Sequence, residues 1–311
     1  MRVLGTCVTF VGGVFDTATG KLCPHAITFH TPHSSHGPAT VSFANNILAL
    51  LALALLVSGT SAFAEASLSV VFDEDNLPYS KRDGMPEGID VEIARLLALQ
   101  MGVSLDIHWI NTLDEGLLTP LSKGDASIQM AVGVPIEPKT IEDERRVADE
   151  VLYSVPYATA QYVVVSRVST ADLPTVKAIG HEPIAVEYAS VASSRLWDEG
   201  FAVEGVPSQE ELLKAVARGA YAYAALWNNA GWLIERDDAL RGKLKIQPAP
   251  LEIKGMRWNL AVAVGKQNAS LLPKINEAIA ALRGLDAFRP FFVKYGMPYV
   301  APFNPEEPST P

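Results

Sequence analysis

The chain has 311 residues and a formal net charge of −10, with 35 acidic against 25 basic residues. This length suffices for two domains with sizeable hydrophobic cores. The acidic balance argues against nucleic acid or an anionic membrane surface as a partner.

The first 64 residues carry the pattern of an export leader. Ile47–Val57 is an unbroken apolar run, shorter than the roughly 18 to 20 residues that a membrane-spanning helix needs. Ala62-Phe63-Ala64 follows as a signal-peptidase site. Residues 1–46 are too long for an ordinary n-region, so either the start is placed too early or the leader is a variant. We predict residues 1–64 as the leader, cleavage after Ala64, and a periplasmic mature protein that does not insert into a membrane.

Residues that usually carry metal or catalytic chemistry are sparse after this leader. Cys7 and Cys23 both precede the cleavage site, and the mature chain has two isolated histidines, His108 and His181. It has no Gly-x-Ser-x-Gly, no phosphate-binding Gly-rich loop and no H-E-x-x-H. We therefore predict no metal site, no cofactor and no catalytic residue.

Strand and helix patterns alternate from residue 67. Two successive strand-helix-strand units imply a parallel sheet with right-handed connections. A polar segment, residues 135–150, then predicts a solvent-exposed helix, and the long extended segment Val151–Arg167, interrupted at Pro156, can cross between two domains. The elements predicted before these are the strand Ser67–Phe72, the helix Gly88–Met101, the strand Val103–Ile110, the helix Leu113–Lys123 and the strand Ser127–Val132.

A second alternating unit follows, and Trp258–Val264 is an extended segment that could return the chain to the first domain. The residues Ser-Gln-Glu-Glu from Ser208 form a capping box. The other predicted strands are Ile184–Glu187, Phe201–Gly205, Tyr223–Trp227 and Lys243–Gln247, and the predicted helices are Ser193–Trp197, Ser208–Arg218, Gly231–Arg236, Leu271–Leu282 and Asp286–Tyr295, before a Pro-rich tail.

The loop after the first strand combines acids with a stiff aromatic turn. Asp73, Glu74 and Asp75 could supply a general acid or oxygen ligands to a hard cation, but adjacent residues on an extended loop point in different directions. No histidine, cysteine or spaced carboxylate completes such a site. We favour a loop that presents Tyr79 to a cleft, because ligands of open α/β sheets bind at the carboxyl ends of strands.

Several motifs resemble the periplasmic solute-binding proteins of family 3, the amino-acid-type receptors of ABC importers. Within that family the chain is most similar to the branch associated with quinoprotein alcohol dehydrogenases, which accompanies PQQ-dependent methanol or ethanol oxidation. The family motifs are Asn76–Ser80, Gly88–Ala94, Lys123–Asp125, Tyr153–Tyr157, Arg218-Gly219 before Ala225–Trp227, and Asn259–Val264; the branch motifs are Asp75–Ser80, Trp227 with Ala230–Trp232, and Lys294–Pro298.

The resemblance implies an α/β fold of the type II periplasmic-binding-protein kind. Each of two lobes would be a mixed, mostly parallel sheet flanked by helices, and two hinge strands would join them. Lobe 1 would contain residues 65–158 and 256–311, and lobe 2 residues 159–255.

The resemblance also places ligand contacts in a cleft between the lobes. Tyr79 would stack on the ligand, Ala131 and Gly133 would offer backbone groups, and Arg145 or Arg146 would grip a carboxylate. The start of a helix at Ser190 and Val191 could bind an anion, or Ser190 could simply cap that helix. The Asp that reads the amino group in amino-acid receptors is absent at Trp227-Asn228-Asn229, which favours a flat, neutral or anionic ligand. The remaining predicted contacts are Asp75, Trp109, Trp227 and Asn228.

Three functions remain open at this point. The first is a monomeric, non-enzymatic protein that captures a small anionic or aromatic/polar molecule, for an ABC permease or beside a quinoprotein dehydrogenase. The second is an assembly partner of a PQQ-dependent alcohol dehydrogenase without a transport role. The third is a cyclohexadienyl-dehydratase-like enzyme, with Asp73 or Glu74 as its acid.

Overall fold

A computed structural model describes residues 7–10, 13–16, 66–136 and 150–304. Near the amino terminus, β1 (Cys7–Phe10) and β2 (Gly13–Asp16) form an antiparallel pair with Cys7 opposite Asp16. This pair belongs to a compact unit separate from residues 62–311. The predicted apolar signal segment, the cleavage site after Ala64 and the polar segment with Arg145 and Arg146 lie outside the described residues.

The first part of the larger unit follows a strand-helix-strand order. Helix α1 begins after Gly88 and ends at Gly102, whose left-handed backbone (φ 67°) is the usual C-terminal cap. The elements are β3 (Ser67–Asp73), the short β4 (Asp75–Asn76) and β5 (Ser80–Lys81), α1 (Ile89–Met101), β6 (Ser104–Ile110), α2 (Thr119–Ser122), β7 (Met130–Ile136), β8 (Val151–Tyr153) and β9 (Ala158–Arg167).

The second part repeats this alternation before the chain returns. Its elements are a 3₁₀ turn (Val176–Ile179), β10 (Ile184–Glu187), α3 (Val191–Asp198), β11 (Val203–Val206), α4 (Gln209–Arg218), β12 (Tyr223–Trp227), α5 (Ala230–Arg236) and β13 (Leu244–Ile246). The return consists of β14 (Arg257–Gly265), a 3₁₀ turn (Lys266–Leu271), α6 (Leu272–Gly284) and α7 (Arg289–Lys294).

One mixed sheet runs through both parts in the order β11-β10-β12-β9-β14-β7-β3-β6, with β13 on β9 and β8 on β14. The outer pairs β10–β11, β10–β12, β3–β6 and β3–β7 are parallel, and β9 and β14 pair antiparallel with their neighbours. Strand β9 pairs with β14 over residues 158–161 and with β12 over 162–166. It therefore joins the two halves of the sheet.

The hydrophobic cores divide in the same way. One half is built from residues 68–160 and 260–297, around Phe72, Leu97 and Phe288, and the other from residues 163–256, around Val165 and Leu212. We refer to these halves as lobe 1 and lobe 2. The predicted α/β fold with two lobes and two connecting strands is confirmed, whereas the lobe boundaries at residues 158 and 256 stay predictions.

Three predicted elements are shorter or shifted because local turns compete with them. The helix predicted at Leu113–Lys123 is reduced to α2, since the Asn111 side chain accepts the Leu113 N–H (3.0 Å) and holds a turn there. The Asp125 carboxylate accepts the Ser127 N–H (2.9 Å), so β7 begins only at Met130. The last helix starts at Arg289 because Asp286 is left-handed (φ 52°).

Helix α4 allows a simple stability test. The Ser208 side chain accepts the Glu211 N–H (3.3 Å), as expected for an N-cap. We expect Ser208→Ala to lower the free energy of unfolding by about 1 kcal/mol, measured by urea denaturation. Ser194→Ala is the control, because that exposed hydroxyl donates only within α3, to the Val191 carbonyl. Equal midpoints for the two variants would contradict the capping role.

Candidate functional site

The loop between β3 and α1 is stabilised by its own acids. Asp73 accepts the Thr112 hydroxyl and the Asp75 N–H, and Glu74 lies 3.8 Å from Arg82. Asp75, although exposed, lies 2.6 Å from the Lys81 ammonium. Both acids proposed for a dehydratase are thus engaged in local contacts, and Asp75 is part of the β4–β5 turn.

Tyr79, in this loop, connects the two lobes. Its hydroxyl donates to the Asn228 side-chain oxygen (3.3 Å) just after β12. The Trp227 side chain lies near enough to this hydroxyl to lower its pKa slightly. Burial raises the pKa of Tyr79, and the charge of Asp90 raises it further. The phenol is therefore neutral at any physiological pH and serves as a hydrogen-bonding group rather than as a base.

Asp90, the second residue of α1, lies over Gly133 on β7. A Cβ atom on Gly133 would overlap the Asp90 carboxyl group, and the backbone there is left-handed (φ 77°). Only glycine is compatible with both conditions. Burial raises the pKa of Asp90 to about 7. The Tyr157 ring is fully buried, and the backbone N–H of Gly133 is directed towards its hydroxyl. Burial raises the pKa of Tyr157, and the charge of Asp90 adds to this effect.

Lobe 2 contributes aromatic rings at the point where the connecting strands cross. The Trp227 ring lies 5.1 Å from that of Trp258 and 5.3 Å from that of Tyr162, centroid to centroid, with Tyr162 edge-on. All three rings lie on β9, β12 or β14. Trp227 also packs against the core of lobe 1, so it bridges the two lobes.

The start of α3 faces this aromatic cluster. The Ser190 side chain accepts the Ser193 N–H (3.2 Å). Ser190 therefore caps this helix, as one of the two roles predicted for it requires. Burial raises the pKa of Tyr162, while the backbone N–H groups of Ala192 and Val191 lower it, because they point towards the phenol oxygen. The helix N-terminus thus meets a neutral hydroxyl, and the predicted anion contact at Ser190 and Val191 stays a prediction.

Trp109 and Ala131, two further predicted contacts, pack against other residues of lobe 1. Trp109, on β6, packs against Phe72 (ring centroids 5.8 Å apart). Ala131 is fully buried as the second residue of β7, opposite Val71 and Ala263. The structure therefore brings together Tyr79, Gly133, Trp227 and Asn228, with Ser190 and Val191 next to Tyr162.

A close contact between two glycines completes the junction of the lobes. A Cβ atom on Gly231, in α5, would overlap the Gly296 carbonyl oxygen after α7. Beside it, the Trp232 ring lies 5.3 Å from that of Tyr295, and the Tyr295 hydroxyl bonds to the Glu92 carboxylate (2.7 Å) of α1. Helix α5 of lobe 2 therefore rests directly on the carboxyl-terminal segment of lobe 1.

Sequence reasoning missed three residues of this site. Asp90 lies in the first turn of a helix, where an acid is ordinary, and only its position over Gly133 makes it unusual. Tyr157 and Tyr162 lie in the long extended segment. Its residue pattern predicts a strand, but it does not predict which face of the sheet each ring occupies. The sequence feature that could have indicated Asp90 is a carboxylate flanked by the apolar residues Ile89 and Val91 at the start of the helix.

The arrangement of two lobes, two connecting strands and a polar, aromatic junction can be compared with known families. The model of the bacterial extracellular solute-binding proteins, family 3, matches residues 68–296. The chain belongs to this family. The predicted resemblance to family 3 is confirmed, and the family is one of extracellular solute-binding proteins.

Relatives with similar sequences or folds agree with this assignment. An amino-acid ABC transporter periplasmic-binding protein of Sinorhizobium fredii (strain NBRC 101917 / NGR234) is 24% identical over 70% of this chain and 72% of its own length. The second substrate-binding domain of an amino acid ABC transporter from Streptococcus pneumoniae Canada MDR_19A has a TM-score of 0.60 at 16% identity, over 74% of this chain and 99% of that one. MxaJ from Methlophaga aminisulfidivorans MPT has a TM-score of 0.54 at 16% identity, over 75% and 100%.

Two further properties concern the described residues only. In residues 66–136 and 150–304, no helix combines the length and hydropathy that a membrane span needs. The same residues contain no group of three or more His, Cys, Asp or Glu side chains arranged to hold a metal ion. The candidate site thus consists of hydroxyl, amide, indole and carboxyl groups, which bind solutes by hydrogen bonding and stacking.

Proposed function

We propose that this protein captures a small molecule in the periplasm, between its two lobes, and delivers it to an ABC permease. The observation that carries the proposal is the meeting of Tyr79 from lobe 1 with Trp227 and Asn228 from lobe 2. A solute that contacts both lobes favours the closed arrangement by its differential affinity for it. The relative from S. fredii, described as an amino-acid ABC transporter periplasmic-binding protein, supports the same role.

The proposed solute has a planar or polar part that stacks on Trp227. That ring is half-buried, and Tyr162 packs against it edge-on, which is how aromatic walls of ligand sites are usually supported. An anionic group would fit the start of α3 and an arginine of residues 145–146. We expect the protein to act as a monomer. Its lobes are proposed to divide at the boundaries that the sequence predicts, residues 158 and 256.

Removal of either aromatic contact is expected to weaken binding. We expect Trp227→Ala and Tyr79→Ala each to raise the Kd of a solute identified by thermal-shift screening by roughly 10-fold or more, because buried Trp and Tyr are typical binding hot spots. Isothermal titration calorimetry measures the change. Trp197→Ala, which removes a 69% exposed indole on α3, is the matched control and should bind like the unmodified protein. Unchanged affinity in both cleft variants would exclude this cleft as the binding site.

A second candidate function is that of a partner in the assembly of a periplasmic quinoprotein dehydrogenase. The observation that favours it is that two motifs of the dehydrogenase-associated branch contact each other. Gly231 and Trp232 pack against Gly296 and Tyr295. Co-purification with a dehydrogenase, together with no thermal shift in the solute screen, would favour this function. A solute-dependent shift without co-purification would favour capture for import.

A further inference from the structure

We propose that a carboxyl-terminal segment, residues 299–304, clamps the two connecting strands, and that Thr159 and Asn259 are the positioning residues through which it does so. We refer to this segment as the clamp. It fixes the crossing of β9 and β14 to lobe 1, so that the lobes bend only beyond the end of that crossing. The inference goes beyond the proposed function, because it concerns which part of the chain moves and not what the cleft binds.

The two positioning residues are polar side chains buried within the connecting strands. Thr159 is 0% exposed and Asn259 is 5% exposed, and they lie directly opposite each other where β9 pairs with β14. Buried polar side chains are nearly always hydrogen-bonded. The Thr159 hydroxyl lies 3.2 Å from the Asn259 side-chain oxygen. The other hydrogen-bond partners of these two side chains, among the described residues, lie in the clamp.

The clamp meets these polar groups with its own backbone. The Thr159 hydroxyl donates to the Ala301 carbonyl (2.9 Å). The Asn259 amide donates to the Phe303 carbonyl (2.7 Å) and accepts the Phe303 N–H (3.1 Å), which is the pair of bonds that a neighbouring strand would exchange with that residue. The Thr159 N–H also bonds to the Val300 carbonyl (2.9 Å), in an isolated antiparallel bridge. One segment therefore engages both connecting strands at once.

The clamp is itself anchored in lobe 1. The Tyr299 hydroxyl donates to the Tyr157 carbonyl (3.2 Å), and the Tyr299 ring lies 5.4 Å, centroid to centroid, from that of Phe292 in α7. At the other end of the clamp, the guanidinium of Arg257 lies 4.2 Å from the centroid of the Phe303 ring. The clamp therefore ties α7 of lobe 1 to the first residue of β14.

The end of the clamped region coincides with the point where β9 changes its partner. Strand β9 pairs with β14 over residues 158–161, where Arg257 lies opposite Gln161, and with β12 of lobe 2 from Tyr162 onward. Beyond Arg257 the crossing continues through the bond from the Tyr162 N–H to the Met256 carbonyl (2.9 Å). Hinges are a few residues at the ends of elements that absorb the backbone rotation. The hinge therefore lies at Gln161–Tyr162 and Met256–Arg257, on β9 a few residues beyond the predicted boundary at residue 158.

Distance measurements between the lobes, made without solute, test this inference. Spin labels are attached to Leu99→Cys in α1 of lobe 1 and to Glu210→Cys in α4 of lobe 2, both of which are exposed positions. Cys7 and Cys23 are replaced by serine in this parent protein. Double electron–electron resonance then gives the distribution of the distance between the two labels, whose width reports the range over which the lobes bend.

Three variants of the parent protein remove or retain the clamp contacts. Thr159→Val keeps the shape of the side chain but removes its hydroxyl, and Asn259→Ala removes both bonds to Phe303. We expect each of these variants to widen the distance distribution, and amide exchange of residues 158–161 to become roughly 10-fold faster, because a net hydrogen bond is lost. Thr159→Ser retains the hydroxyl and should restore the narrow distribution and the slow exchange.

Ser166→Ala is the matched control. It removes another fully buried hydroxyl from β9, one that lies in lobe 2 and accepts the Gln247 side-chain N–H (2.7 Å). It should lower the Tm and leave the distance distribution unchanged, because Ser166 does not touch the clamp.

Two results would overturn the inference. One is a distribution for Thr159→Val and Asn259→Ala that equals that of the parent protein. The other is a Ser166→Ala variant that widens the distribution as much as they do. If circular dichroism shows that Asn259→Ala does not fold, Thr159→Val alone decides in the same way. No solute enters these measurements, so the proposed capture of a solute stands whichever result is obtained.

Discussion

Gly231→Ala is expected to keep the two lobes apart while leaving each of them folded. A methyl group at this position overlaps the Gly296 carbonyl oxygen, which is a backbone atom and cannot move aside independently. Overpacking of this kind costs about 1 to 3 kcal/mol. Because the contact exists only when α5 touches the segment after α7, that cost falls on the closed arrangement. Solute affinity should fall roughly 10- to 100-fold as a result.

Small-angle X-ray scattering is the measurement for this variant. We expect a larger radius of gyration for Gly231→Ala than for the unmodified protein in the presence of solute, with the far-UV circular dichroism spectrum unchanged. Gly284→Ala is the control, because a Cβ atom at that helix end meets nothing within 4 Å. If Gly231→Ala scatters like the unmodified protein and binds solute equally well, this glycine contact does not govern closure.

Asp90→Asn is expected to stabilise the solute-free protein at alkaline pH. Burial raises the pKa of Asp90 from 3.8 to about 7 in the folded state. A carboxyl group with a raised folded pKa contributes stability that is fully present below pH 3.8 and is lost as the pH rises through about 7. Above pH 7 the folded protein bears the full cost of the ionised group. Since part of the side chain is accessible, we expect this cost to be about 2 kcal/mol, and asparagine avoids it.

Thermal unfolding between pH 4 and pH 8.5 tests the sign of this effect. The Tm of Asp90→Asn should exceed that of the unmodified protein at pH 8 and approach it at pH 4. The groups that surround the carboxyl, Tyr79 and Tyr157, remain neutral over this range because burial raises their pKa values. Asp83→Asn controls for the change in net charge. A lower Tm for Asp90→Asn at pH 8 would show that the carboxylate is stabilising, opposite to our expectation.

The expectation about Asp90 has a simple physical origin. A carboxylate held among apolar and phenolic side chains lowers the stability of the folded protein when it is ionised. Functional sites commonly reduce stability in this way.

Much of the fold could be predicted because its elements have clear periodicity. The apolar residues of Ser67–Phe72 and of Gly88–Met101 recur at strand and helix spacing, and β3 and α1 lie within one residue of those bounds. The prediction of a helix over all of Leu113–Lys123 was wrong. The Leu113 N–H bonds to the Asn111 side chain and stabilises a turn where the helical pattern of the sequence is weak. Such local competition is not visible in hydrophobic periodicity.

The candidate site was only partly predictable, because it is formed by contacts between residues distant in sequence. Tyr79 and Asn228 are 149 residues apart and hydrogen-bond to each other, and both were selected from motifs. Asp90 could not be selected in that way, since an acid in the first turn of a helix usually needs no explanation. Its importance arises from the approach of α1 to Gly133 and Tyr157, which depends on the packing of the whole lobe.

Native mass spectrometry after incubation with a periplasmic small-molecule extract tests solute capture between the lobes most directly. We predict a one-to-one complex for the unmodified protein and for Trp197→Ala, and its loss for Trp227→Ala. No complex with the unmodified protein, or the same complex in all three proteins, would contradict capture at this cleft.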